Sequence, residues 1–295
     1  MDSVSQRLSS SLKAYICSFS TGDLRVQRHG RKIRVESSST HPAQIYLVHS
    51  IFEAHGELIE YPIRTPSAFG WRSVYHLSPK FQFLLDSRKR TYAALRARAT
   101  FYFAIAGLID SEGHIGISTA SRSYYPVILI SNSDLYLVRL ILRSLVNRGY
   151  RARIQSRILG DGSRIHEVCL SGRSATRLLQ RVELHHPEKI QAKRIVLASL
   201  SDPRKGRVAY LKLRASINHQ RDACVEAAKI AFENRAERRL RRMEAYNDFA
   251  KLAAEMKSNG ETIPRIGITL GRSQRTIYRL LRRNSVGKRN SEEGE

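Results

Sequence analysis

The stretch at 104–118, AIAGLIDSEGHIGIS, sets two acids, Asp110 and Glu112, two residues apart at the end of an apolar run that carries no charge of its own. Carboxylates at such a position have two ordinary uses. They cap or solvate a helix end, or they offer hard oxygen ligands to a divalent cation. Gly113 and the alternating apolar residues after it predict a strand entered directly from the helix. The elements that position these acids therefore decide which use applies.

Behind the acids comes an ordered series. YYPVILISNS alternates as a strand does, and DLYLVRLILRSLVNRGY has helical spacing with Gly149 as its stop. RARIQSRILGDGSRIHEVCLSG reads as a hairpin turning at Gly160, Asp161 and Gly162. RSATRLLQRVEL and HPEKIQAKRIVLASL read as helices. The first hundred residues repeat this order more faintly: a hairpin turning at His29 and Gly30, a helix stopped by Gly56, two strands around 67–70, and a helix in PKFQFLLDS. Registering the halves sets Asp23 against Glu112 and Thr21 against Asp110. The expected fold is α+β, with two pseudo-symmetric αββαββα units at 10–95 and 96–202. An all-α region at 203–285 and a tail at 286–295 complete the chain.

Charge narrows the partners. Lys and Arg total 51 against 26 Asp and Glu, a net charge of +25. A chain this basic seeks polyanions, and nucleic acid is the default. Arg outnumbers Lys about three to one, which favours bidentate contacts to phosphate and guanine. Cys17, Cys169 and Cys224 lack CxxC spacing and read as buried thiols in a reducing compartment. No apolar run is long enough to span a bilayer, and the first residues have no signal-peptide pattern. The expected setting is intracellular, either cytoplasmic or an organelle or nucleoid, with no membrane partner.

IAGLIDSEG at 105–113 resembles the signature of the LAGLIDADG homing endonucleases, with Ile for Leu, Ser for Ala and Glu for Asp. The counterpart ICSFSTGDL at 16–24 is degenerate. It keeps a small residue, Ser18, and the acid Asp23, and has Leu24 where the signature has glycine. The resemblance implies signature helices packed side by side, their close approach allowed by Ala106 and Gly107 opposite Cys17 and Ser18. It implies Asp23 and Glu112 brought together as metal ligands and catalytic carboxylates for Mg²⁺ or Mn²⁺. Asp110 is expected to cap or hydrogen-bond at the helix end. A basic residue near the metals is implied too: Lys189 in the second unit, and Arg88, Lys89 or Arg90 in the first. An ordinary exposed helix lysine is the other reading of Lys189.

By the same resemblance each sheet lies along double-stranded DNA. Candidate contacts in the first unit are Arg25, Gln27, Arg28, Arg31, Arg34, Arg64, Arg72 and Tyr75. In the second they are His114, Ser118, Arg122, Arg151, Arg153, Gln155, Arg157, Arg164 and His166. These divide among base readers, phosphate clamps and ordinary solvated strand residues. IPRIGITLGRSQRTIYRLLRR resembles a resolvase-type helix-turn-helix, with Gly271 in the turn, Ser273 as cap, and Gln274, Arg275 and Arg279 facing the groove. A basic helical hairpin packed on the main body is the alternative.

Three functions fit. One is a monomeric, site-specific DNA endonuclease. The second is a DNA-binding transcription regulator with an inactive site, and the third an intron maturase acting on RNA. The retained acid pair favours the first; the decayed first motif and the helix-turn-helix favour the second.

Overall fold

The computed structural model describes residues 8–66, 68–120, 123–160 and 162–282. The candidate Arg122 and the turn residue Asp161 lie outside these. Helix α1, Ser10–Asp23, is capped by the Ser9 hydroxyl, which accepts from the Leu12 N–H at 3.1 Å. It runs into a hairpin, β1 (Arg25–His29) and β2 (Lys32–Ser39), turned by Gly30 at φ +58°, a left-handed conformation natural to glycine. Then follow α2 (Pro42–Phe52), β3 (Gly56–Arg64), β4 (Phe69–Leu77) and α3 (Ser87–Arg96). PKFQFLLDS, expected as a helix, is a 3-10 segment over Pro79–Asp86 that leads into α3. Tight 3-10 turns commonly precede a helix proper, and apolar spacing alone does not separate the two.

The second half repeats the plan with α4 (Phe101–Glu112), β5 (Gly113–Ala120), β6 (Ser123–Asn132), α5 (Leu135–Val146), β7 (Ala152–Ile158), β8 (Arg164–Ser171) and α6 (Gly172–Arg181). The sheets have the same antiparallel order, β1-β2-β4-β3 and β5-β6-β8-β7. The fold is thus α+β, with two equivalent four-stranded sheets, as the sequence repeat predicts. Helix α7 (Pro187–Ala198) lies against β5, and α8 (Pro203–Ser258) follows.

α1 and α4 cross at the centre of the core. A Cβ on Gly107 would overlap the Tyr15 carbonyl oxygen and stand 2.9 Å from the Phe19 nitrogen. Glycine is therefore what lets the two backbones touch. The run is apolar because both helices are enclosed; Ile16, Phe19, Ile105, Leu108 and Ile109 are 0–1% exposed, each such burial contributing roughly 1.5–3 kcal/mol.

The chain divides into two compact units, with the boundary between Lys229 and Ile230. In the second, the end of α8, α9 (Ile263–Thr269) and a helical segment at 274–282 enclose Ala250, Ala253, Ile266, Ile277 and Leu280. No helix among the described residues is long and apolar enough to cross a membrane.

Candidate metal centre and nucleic-acid interface

Each signature helix ends where its sheet begins: Asp23 closes α1 just before β1, and Glu112 closes α4 just before β5. The two ends touch. A Cβ on Gly22 would stand 2.6 Å from Glu112 Cγ and 2.9 Å from its Oε1, so Glu112 lies over the residue preceding Asp23. Asp23 Oδ2 accepts from Gln44 Nε2 at 2.8 Å. Among the described residues no hydrogen bond reaches the Glu112 carboxylate. Burial pushes the Asp23 carboxyl above its ordinary range, with Lys189 and the Gln44 bond opposing. Burial pushes Glu112 up as well, and repulsion from Asp23 adds to it.

Two crowded carboxylates with free oxygens fit a small divalent cation. Among the described residues no group of three or more His, Cys, Asp or Glu could hold a metal. Asp23 and Glu112 are thus two carboxylates with no third such group beside them among those residues, and Mg²⁺ is a cation that takes one or two protein carboxylates.

Asp110 is fully buried. Its Oδ2 accepts from the Tyr15 hydroxyl at 2.9 Å and from the His185 N–H at 2.7 Å. It fastens α4 to α1 and to the approach to α7, a wider reach than capping its own helix. Lys189 is not an exposed helix lysine. Its Nζ donates to the carbonyls of Ile109, Asp110 and Ser111 at 2.6, 2.7 and 3.0 Å. An ammonium has three N–H donors, and all three serve the C-terminus of α4, where a cation is favoured. In the first half Arg88 pairs with Asp134 at 3.5 Å, and Lys89 and Arg90 are exposed.

Strand register sorts the sheet candidates. In the first sheet Arg25 pairs with Glu36, Gln27 with Arg34, and Arg72 with Ser38. These share the face turned away from the helices, and Arg31 occupies the β1–β2 turn. Tyr75 pairs with Val35, is fully buried, and packs on Phe52 at 5.7 Å. It is a core residue rather than a DNA contact. Arg28, opposite Ile33, and Arg64, stacked on Phe69, share Tyr75's side.

In the second sheet His114, Ser118, Arg153, Gln155 and Arg157 share the open face. Arg151 just precedes β7, its backbone N–H bound to Ser174 Oγ. His166, 9% exposed and bonded to Ser156 at 2.7 Å, faces the helices, as does Arg164. These two leave the set of groove-facing candidates. Residues that the sequence reading missed include Gln44, which grips Asp23, and Tyr210, whose hydroxyl lies 3.2 Å from His114 Nε2. Gln44 lies in the first turn of an amphipathic helix that also carries His49 and Ser50, and nothing in its spacing marks it as Asp23's partner.

In the second unit Gln274, Arg275 and Arg279 are exposed while Ile277 and Leu280 are buried. Gly271 turns at φ +59°, and the Thr276 N–H reaches Ser273 Oγ at 3.3 Å.

No family model matches the sequence, and no curated relative does. Solved structures to which the chain is similar include homing endonucleases. A mesophilic variant of I-DmoI is 14% identical at TM-score 0.41, covering 59% of this chain and 95% of its own. I-GzeII, a LAGLIDADG homing endonuclease in complex with its DNA target, is 7% identical at TM-score 0.42, covering 68% and 96%. I-WcaI bound to its DNA recognition sequence is 12% identical at TM-score 0.43, covering 60% and 82%.

Proposed function

We propose that this chain is a site-specific, metal-dependent endonuclease of double-stranded DNA, with the larger unit cutting and the 230–282 region adding a helix-turn-helix contact. The single observation that carries the reading is the meeting of Asp23 and Glu112 at paired helix ends, each opening into a strand whose outward face carries Arg, Gln or His. Mg²⁺ or Mn²⁺ held by these carboxylates would activate water and offset charge on the scissile phosphate. Around it the chain's own groups have separate tasks. Gln44 orients Asp23. Lys189 is a positioning residue that fixes the end of α4 and so the direction of Glu112. Asp110, through Tyr15 and His185, locks the crossing that brings the two acids together.

The open faces supply the grip. Arg25, Gln27, Arg34 and Arg72 on one sheet, and Arg153, Gln155 and Arg157 on the other, suit base edges and phosphates. A monomer with two unlike halves suits a long asymmetric site. A second reading, a DNA-binding regulator without cleavage, is favoured by one observation: Lys189 keeps none of its donors for a phosphate. The expected setting remains intracellular.

The test is cleavage of a randomised plasmid library with Mg²⁺ by wild type, Asp23→Asn and Glu112→Gln. Cutting at one defined site, lost in both variants, supports the enzyme. Tight, salt-sensitive binding to a defined site with no cutting under any divalent metal would hand the answer to the regulator.

A further inference from the structure

The open face of the second sheet holds an acid where a DNA-binding surface should repel one. Glu167 stands on β8, paired across the sheet with Ser131 on one side and Gln155 on the other. It is 5% exposed, beneath exposed Gln155 and Arg157. Its carboxylate accepts from Ser131 Oγ at 2.9 Å, Gln155 Nε2 at 2.9 Å and Arg157 at 3.2 Å. Burial alone would raise this carboxyl; the bonds from Gln155 and Ser131 and the Arg157 charge bring it below its ordinary range. It is therefore an ionised acceptor.

We propose that Glu167 is a specificity-determining residue that sets Gln155 and Arg157 to read an adenine and a neighbouring guanine. The inference rests on the DNA-binding part of the function above. A carboxylate only accepts, so the amide nitrogen of Gln155 is the end turned inward. Its carbonyl oxygen and its second N–H are left for the groove. That acceptor–donor pair matches adenine, whose N6 donates and N7 accepts. Arg157 is held at one edge by the same carboxylate, leaving further N–H groups for guanine O6 and N7. Without the acid, the amide is free to flip and the guanidinium to turn toward any phosphate. Glu167 thus gives up some non-specific attraction in exchange for orientation.

The test is selection of binding sites from a randomised duplex pool by the full-length chain in EDTA, so that cutting does not intervene. Wild type, Glu167→Gln, Gln155→Ala and the double variant are each profiled position by position. Glu167→Gln is expected to lose about tenfold of the adenine preference at one position and part of the adjoining guanine preference. Its affinity for unrelated DNA should hold or rise, since one negative charge is gone. The double variant should lose no more adenine preference than Gln155→Ala alone, because the two act through one contact. A uniform loss at all positions, or an unchanged profile, overturns the inference while the function stands. Failure of wild type to select any defined sequence overturns both. Should Glu167→Gln not fold, Glu167→Asp withdraws the carboxylate by one methylene and is read at the same two positions.

Discussion

The two halves of the larger unit share a topology and differ in how each carries its acid. α4 keeps the glycine at the helix crossing, and its C-terminus is capped by Lys189; Glu112 itself accepts no hydrogen bond among the described residues. α1 has Ser18 at the equivalent crossing position, with its hydroxyl 3.4 Å from Thr91. Its end is stitched by Thr21 to Thr91 at 3.1 Å, and Asp23 is held by Gln44. One half has kept the motif; the other has kept the geometry with different residues. A helix that must meet a fixed partner can drift in sequence as long as the contact surface and the terminal acid persist. The first copy is decayed as a motif and intact as a structure.

The largest expected effect tests whether the decayed half still works. Asp23→Asn and Glu112→Gln should each reduce cleavage about a thousandfold, the loss that several kcal/mol of metal-borne charge stabilisation implies. Single-turnover assays on each strand measure it. Loss in Glu112→Gln alone would mean that the first half binds without cutting.

Stability comes next. Gly107→Ala should cost about 1–3 kcal/mol, because the new methyl overlaps the α1 backbone at Tyr15 and Phe19. Ser18→Ala should cost about 1 kcal/mol at most, since it loses one long hydrogen bond and leaves no overlap. Denaturant unfolding decides, and equal costs would break the claim that only α4 depends on its small residue. Lys189→Met sharpens the same contrast at the helix end. It strips three carbonyls of their donor in a buried setting and should cost about 2–3 kcal/mol. Thr91→Val, which unties the end of α1, should cost less.

What the sequence made legible follows from where the information is local. The signature residues, the repeat, both terminal acids and the hairpin glycines announce themselves by type and spacing. The phase of several strands does not. Val74 and Tyr75 are adjacent and both apolar in character, so alternation fits either face, and a one-residue choice sends every side chain to the other side. His166 is misassigned the same way beside Ile165. The docking of Lys189 into α4 and of Tyr15 onto Asp110 joins residues 78 to 95 positions apart, and nothing local to either residue signals it. Glu167 is not legible in the sequence, because an acid on a basic face carries no local signal of its three donors.

The smallest effect bears on the acids themselves. Both Asp23 and Glu112 are raised by burial, and both feel Lys189. Asp23 has Gln44 as well, whereas Glu112 has repulsion from Asp23. A carboxyl raised in the folded state contributes stability that is complete below its unfolded value and is lost as pH rises through the folded one. The metal-free body should therefore weaken as pH rises above the ordinary carboxylate range, and Mg²⁺ should restore it. Neutralising either acid removes its share of that loss. Thermal unfolding in EDTA at pH 7.5 should show Glu112→Gln about 2 °C above wild type and Asp23→Asn raised by less. The difference should shrink as pH falls through the ordinary carboxylate range, where protonation removes the charge. A larger gain from Asp23→Asn would mean that the hydrogen-bonded acid is the more strained of the two, and the asymmetry between the halves would reverse.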